Sequence, residues 1–509
     1  MQKALWRTIW NGALASAALV LLAGNVAQAE VKLPNIFTDH MVLQQGQKNR
    51  VWGTAGAGEA VTVTIDKQTQ KVSAGADGKW QVALDPLPVG GPYVLAVKGS
   101  NEIKIDDVLV GEVWICSGQS NMQWSVNISN DPDLEKLTAK FPRIRMINFP
   151  RIGVQEPIWT HPESRWKVCM PDNVGDFSAV GYYFARQLHQ TLDVPVGMIN
   201  NAWGGSACEA WIRRDLLAAD EKYKPMLEGW AKNESLFAEL SAKSDLNEDQ
   251  KKQVAGLKQN MGGNHRPANI YNGVLKSHLG YGIKGAIWYQ GESNAGRAYQ
   301  YRDLFPLMIK SWRDEWGQGD FPFYWVQLAD HKPENPNQFE SDWAELREAQ
   351  TMTMSKLPNT GEAVIIDIGE GKDIHPKNKV DVGRRLARWA LAKDYGFHVW
   401  YHSPQYKSMD VQGNKIVLTF DHVDGGWRPF DVNEPRGFAI AGEDKKFVWG
   451  TAKILPDGKV EVLAAGIDKP VAVRYGWADN PVVNMYNGGG LPLTPFRTDD
   501  WPGVTINNK

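Results

Sequence analysis

Five apolar runs in the middle of the chain each lead straight into a loop of small and polar residues: Val108 to Cys116, Val194 to Ile199, Ala286 to Tyr289, Phe323 to Leu328 and Ala363 to Ile368. They lack apolar/polar alternation, so a sheet built from them is covered on both faces, as parallel sheets are. Helical periodicity between them, as at Val180 to Leu192 and Val380 to Tyr395, supplies the covering layers. The fold class predicted is α/β. Ligands of such sheets bind outside the carboxyl ends of the strands. The five loops therefore converge on one crevice.

On both sides of this region the texture is different. Val61-Thr62-Val63-Thr64-Ile65 and Gly78 to Leu84 alternate, with turn signals at Ala76-Asp77-Gly78 and Pro88 to Pro92. Short strands at this spacing predict a small β-sandwich over 30–106. Alternation returns in Lys415 to Phe420, Lys459 to Leu463 and Val471 to Tyr475, predicting a second β module over 397–509. The α/β domain between them spans 107–396. A Lys/Glu/Ala/Leu-rich stretch at about 212–267, including Asn233 to Leu257, reads as a helical insertion with solvated faces.

The first 29 residues carry Lys3 and Arg7, a small and apolar run from Gly12 to Gly24, and Ala27-Gln28-Ala29. That is the anatomy of a secretory signal peptide, and it predicts a periplasmic or secreted protein cut after Ala29. With 56 Lys and Arg against 58 Asp and Glu the chain has no basic footprint, which argues against nucleic acid and, after cleavage, against an anionic membrane as partner. Cys116, Cys169 and Cys208 form no CxxC zinc pattern and no disulfide framework. No phosphate-cradling GxxxxGK[ST] loop is present, and no metal or cofactor is expected. The 22 Trp are the unusual count, and they suit a protein that stacks on sugar rings as well as one with large β cores.

The crevice loops offer Ser, His, Asp, Gln and Asn with glycine-rich backbone, an inventory for acyl transfer. Ser120 follows a strand directly and has Gly118 at −2, so a sharp turn exposes its hydroxyl; Met122 at +2 departs from the GxSxG elbow. Ser206 and Ser293 also have a Gly at −2 and compete for the role. His375, in Asp373-Ile374-His375-Pro376, is the histidine placed to act as base. Asp373, two residues away, faces the same side in an extended segment. Two carboxylates, Glu292 with Glu370 or Asp373, would instead suit a glycoside hydrolase, and a sugar-binding protein without catalysis would use the β modules and Trp alone.

Gly111 to Met122 (Gly-Glu-Val-Trp-Ile-Cys-Ser-Gly-Gln-Ser-Asn-Met) resembles the nucleophile block of the sialate O-acetylesterase family, within the SGNH or GDSL-like hydrolases. Trp288 to Asn294 is similar to a second block and Ile374 to Lys379 to the His block; Asn201 to Ser206, Arg347 to Gln350 and Gly489 to Pro492 are further landmarks. The resemblance implies a three-layer SGNH domain with a parallel sheet, flanked by β modules, and metal-independent removal of acetyl groups from sugars, with sialate 9-O-acetyl esters first. Acetylated xylan, xyloglucan or pectin is the alternative. It implies Ser120 as nucleophile and His375 as general base. The Ser120 N–H, a Gly of the Gly204-Gly205 pair and Gln290 would face the oxyanion. Asn121, Glu292, Asn294, Trp203 and Arg266 are expected to bind substrate, with Arg266 or Arg297 meeting a sialate carboxylate. Many superfamily members carry an acid three residues before the His. That position here is Lys372, so Asp373, Asp367, Glu370 or no acid at all remains open as the third member.

Overall fold

The computed structural model describes residues 30–508. The signal peptide expected over 1–29 lies outside them. Six parallel strands build the central sheet, in the order Thr360–Ala363, Phe323–Val326, Gly285–Tyr289, Glu102–Gly118, Val196–Asn200, Phe141–Asn148, with Lys167–Cys169 antiparallel at the far edge. Side chains of the middle strand alternate between two cores. Val113 and Ile115 join one side with Trp288, Phe305 and Trp312, while Trp114 and Cys116 join the other with Tyr183, Phe184 and Leu386. Helices Ala298–Trp316 and Asp342–Lys356 pack on each other along the first side, and Ala179–Leu192 and Lys379–Lys393 along the second. The three-layer α/β class is the one expected.

The strand boundaries correct the sequence reading in two places. The edge strand is Thr360–Ala363, so the fifth apolar run, Ala363 to Ile368, contributes only its first residue to the sheet, and Val364 to Ile366 are buried without joining it. Phe141–Asn148 is an unforeseen strand. Its Arg145 interrupts the apolar run but is buried against Asp107 (2.6 Å). The insertion forms two long helices, Lys224–Ser241 and Glu248–Met261. The second starts at a capping box in which Asn247 and Gln250 satisfy each other's backbone N–H.

The flanking modules are β-rich. Val61, Val63, Leu95 and Val97 of one sheet share a core with Val51, Trp80 and Leu84 of the strand pair Asn49–Thr54 and Lys79–Leu84. At the carboxyl end, two antiparallel sheets bury Ile416, Leu418 and Val462 against Ile440, Val473 and Tyr475. The boundary expected at 106/107 falls inside the 17-residue strand Glu102–Gly118, so the first module and the hydrolase sheet share one unbroken strand.

The carboxyl-terminal module is tied on by Arg347. This fully buried side chain donates from Nε to the Leu328 carbonyl (2.9 Å), from one terminal nitrogen to Ala478 (2.7 Å), and from the other to Ala329 (2.8 Å) and Asp479 (2.9 Å). Arg347→Leu strands the buried carbonyls of Leu328 and Ala478, each costing about 1–3 kcal/mol, while those of Ala329 and Asp479 keep the Trp343 indole and the His331 N–H. The expected outcome is a clear fall in the guanidinium chloride midpoint; a midpoint equal to wild type would refute the tie.

Candidate functional site

Gly118 ends the middle strand with φ at +131°, and a Cβ there would collide with the Tyr289 carbonyl. The chain then turns into a short helix, Ser120–Gln123, with Ser120 as its first residue. Gln119 fastens this turn by donating its N–H to the Tyr289 carbonyl (2.9 Å). The Ser178 hydroxyl holds the Met122 carbonyl (2.6 Å). Ser120 is left half-buried at the carboxyl end of the sheet.

His375 arrives from the opposite side of the sequence, on the loop between Thr360–Ala363 and the helix Lys379–Lys393. Its Nε2 lies 2.8 Å from Ser120 Oγ. The indole of Trp124, four residues after Ser120, stacks on the imidazole at 4.5 Å and 13°. Sequence reasoning passed over Trp124, although i and i+4 share a helix face. Ser206 and Ser293 do not meet an imidazole. Ser206 is buried and donates to the Gly118 carbonyl (3.3 Å), and Ser293 donates to that of Gly205 (2.9 Å).

Asp373 is the nearest acid to the ring. Its Oδ1 accepts the backbone N–H of His375 (2.9 Å) but stands 3.6 Å from Nδ1, a charge contact rather than a hydrogen bond. Asp367 is paired with Arg385 (2.6 and 2.7 Å), and Glu370 accepts the Lys377 N–H (2.7 Å). Burial, and next the Lys379 ammonium, hold His375 below the ordinary histidine value, with Asp373 pulling the other way.

Of the expected oxyanion donors, the Ser120 and Gly205 N–H groups have no acceptor among the described residues. The N–H of Gly204 is taken by Gln123 Oε1 (2.7 Å). Gly204 packs closely on the nucleophile turn, since a Cβ there would sit 3.3 Å from that of Ser120. Gln290 corrects the expectation. It is fully buried, and its amide nitrogen donates to the Ser206 carbonyl (3.1 Å) and Asn294 Oδ1 (2.7 Å), so no donor is left for an oxyanion. Two residues from the end of the insertion, also unforeseen, seat the glycine loop: Asn264 Nδ2 on the Gly204 carbonyl (2.6 Å) and His265 Nε2 on that of Gly205 (2.7 Å).

The expected substrate contacts divide. Trp203 is half-buried, its N–H on the Gly118 carbonyl (3.0 Å). Asn294 and Asn121 are buried, and their amides bond to protein: Asn294 to Glu209 (3.0 Å), Asn121 to Glu292 (2.7 Å) and the Ile374 carbonyl (2.9 Å). Glu292 is that partner of Asn121; burial pushes its carboxyl upward against the pull of Asn121 and Lys379. Arg266 is paired with Glu234 (2.9 Å), and Arg297 with the buried Glu209 (2.5 Å). A cavity of about 480 Å³ lined by Trp52, Trp80 and Trp159 lies against the first β module, and none of these site residues reaches it.

Residues 110–392 match the family model described as carbohydrate esterase, sialic acid-specific acetylesterase. The sialate O-acetylesterase of Mus musculus is 29% identical over 90% of this chain and 92% of its own length, and that of Homo sapiens 28% over 96% and 97%. The crystal structure of a carbohydrate acetylesterase from Xanthomonas citri superposes with a TM-score of 0.80 at 37% identity, covering 93% of this chain and all of that one. With a family match across more than half its length, the chain belongs to the carbohydrate esterase, sialic acid-specific acetylesterase family, and is a carboxylic ester hydrolase whose substrate is an acetylated carbohydrate.

Proposed function

We propose that Ser120 and His375 form the catalytic pair of a serine carbohydrate O-acetylesterase. The observation that carries this reading is the 2.8 Å contact between their reacting atoms, 255 residues apart in sequence, at the carboxyl ends of a parallel sheet. His375 Nε2 takes the hydroxyl proton as Ser120 Oγ attacks the acetyl carbonyl. Backbone N–H groups of Ser120 and Gly205 receive the negative oxygen, an electrostatic contribution of about 2.7–4 kcal/mol per donor in comparable sites. The sugar oxygen leaves with the proton from His375. Water, deprotonated by the same imidazole, then releases acetate and restores Ser120.

Sialate O-acetyl esters are the substrate that the names of the relatives suggest, and the 9-O ester is the one we place first. A second reading, neutral acetylated polysaccharide such as xylan or xyloglucan, is favoured by Arg297, whose charge is spent on the buried Glu209, while Arg266 shares Glu234 with Arg214. Ser120→Ala should cut acetate release at least about 10⁴-fold with an unchanged circular dichroism melt; retained activity removes Ser120 from the role. Acetate release ranked across O-acetylated sialic acid and acetylated plant polysaccharides decides between the substrates.

Because the base must be neutral and its pKa lies below the usual histidine value, the acidic limb of kcat/KM should fall below about pH 6.5. Asp373 stabilises the charged ring, so removing it lowers the pKa further. Asp373→Asn should move that limb to lower pH. The looseness of the Asp373 contact predicts a kcat loss well short of the about 10⁴-fold seen when a tightly bonded third member is removed. A limb moved to higher pH would contradict this account of His375.

We also propose export with cleavage after Ala29, on the charged start, apolar middle and Ala-Gln-Ala site of the first 29 residues. Intact mass spectrometry of the exported protein should give a chain starting at Glu30; an uncut chain overturns this.

A further inference from the structure

Asn121 follows the nucleophile directly, yet it is 1% exposed and both ends of its carboxamide are bonded to protein. Nδ2 donates to the carbonyl of Ile374 (2.9 Å) and to Glu292 Oε1 (2.7 Å), and Oδ1 accepts from Lys379 Nζ (2.6 Å). Ile374 is the residue before His375, and Lys379 opens the helix after it. One amide, on the turn that carries Ser120, therefore grips the His375 loop on both sides of the imidazole.

The grip has one orientation. Rotating the amide would set its NH₂ against an ammonium and its oxygen against two acceptors. Lys379 is itself fully buried and lies over the Tyr289 ring at 5.3 Å, on the strand next to Gly118. Trp124 fixes the plane of the imidazole, and Asp373 holds its backbone N–H, but neither bonds the His loop to the nucleophile turn through side-chain hydrogen bonds.

We propose that Asn121, locked by Lys379 and Glu292, is a positioning residue that fixes the His375 loop against the nucleophile turn and so sets the Nε2 to Oγ contact. This rests on the roles proposed for Ser120 and His375. A strut acts on every substrate alike, whereas a substrate contact acts only on the sugar it touches. A misplacement on the order of 1 Å costs about 10²-fold in rate.

The test is steady-state kinetics on p-nitrophenyl acetate and on an acetylated sugar, with thermal melts, for Asn121→Ala, Asn121→Asp, Glu292→Ala, Glu292→Gln and Ser120→Ala. The expected result is a kcat loss of about 10²-fold for Asn121→Ala on both substrates, with KM nearly unchanged. Asn121→Asp keeps the acceptor for Lys379 but loses both donated bonds, and falls likewise. Glu292→Gln keeps an acceptor opposite the amide and falls less than Glu292→Ala. Folded Asn121 variants with wild-type kcat, or a KM rise confined to the sugar ester, overturn the proposal. Should the Asn121 variants not fold, equal kcat for Glu292→Ala and Glu292→Gln overturns it, and the expected inequality supports it. An active Ser120→Ala would instead sink the nucleophile assignment. An inactive Ser120→Ala beside a fully active Asn121→Ala sinks the strut alone.

Discussion

The strand Glu102–Gly118 changes partners midway along its length. Over residues 102–110 it runs antiparallel to Gly90–Lys98 in the first β module, and over Glu112–Gly118 it runs parallel between Val196–Asn200 and Gly285–Tyr289. At the changeover the buried carboxylate of Glu112 is held by Gln44 (3.1 Å) and Gln45. A strand paired on both edges has few ways to shift, because a slip of one residue sends every side chain to the wrong face. Its last residue, Gly118, is pinned against Tyr289, and Ser120 follows two residues later. The place of the hydroxyl is thus set by the sheet, and the loops around it supply the remaining groups.

That rigidity changes what the third member of the site has to do. In a tightly bonded triad the acid both orients the imidazole and stabilises its charged form. Here the two tasks are divided. Orientation comes from the Trp124 stack, while Asp373, at 3.6 Å and with a 40% exposed side chain, contributes charge through solvent-weakened electrostatics. Burial and Lys379 outweigh it, so the imidazole stays neutral to lower pH than an ordinary histidine. Lys379 meets the same desolvation, which pulls its ammonium down to about 7 against the attraction of Glu292, Glu370 and Asp373.

The layers and the loop set were legible in the sequence because burial on both faces removes polar alternation, a signal that survives without knowledge of partners. Phe141–Asn148 escaped for the converse reason: Arg143 and Arg145 look like solvent-facing residues, and the distant Asp107, with the nearby Pro142 carbonyl, makes Arg145 a core residue. Val364 to Ile366 misled in the other direction, being apolar and buried without pairing. Within the site, local spacing offered Ser120, Ser206 and Ser293 alike together with His375 and Asp373, and the resemblance of Gly111 to Met122 and of Ile374 to Lys379 put Ser120 and His375 first. Gln290 came from its place in a family block and Arg266 from its charge, and neither says where a polar group, Asn294 included, spends its hydrogen bonds. Their partners Ser206, Glu209 and Glu234 lie 84, 85 and 32 residues away.

The helical insertion bears on chemistry as well as on shape. Its helices are mostly solvated, with Leu240 and Leu257 as their buried contacts, so little of the core depends on them. Yet Asn264 and His265, where the insertion returns to the domain, hold the carbonyls of Gly204 and Gly205. Fixing a carbonyl also fixes the plane of the peptide that follows it, and the Gly204 carbonyl belongs to the peptide whose N–H is that of Gly205. The Asn264 bond therefore orients the Gly205 N–H, the donor proposed to meet the oxyanion. Arg266, next in sequence, anchors the same segment to Glu234 on the first long helix of the insertion. The insertion thus has a short path to the plane of that peptide, from Glu234 through Arg266 to Asn264 and the Gly204 carbonyl.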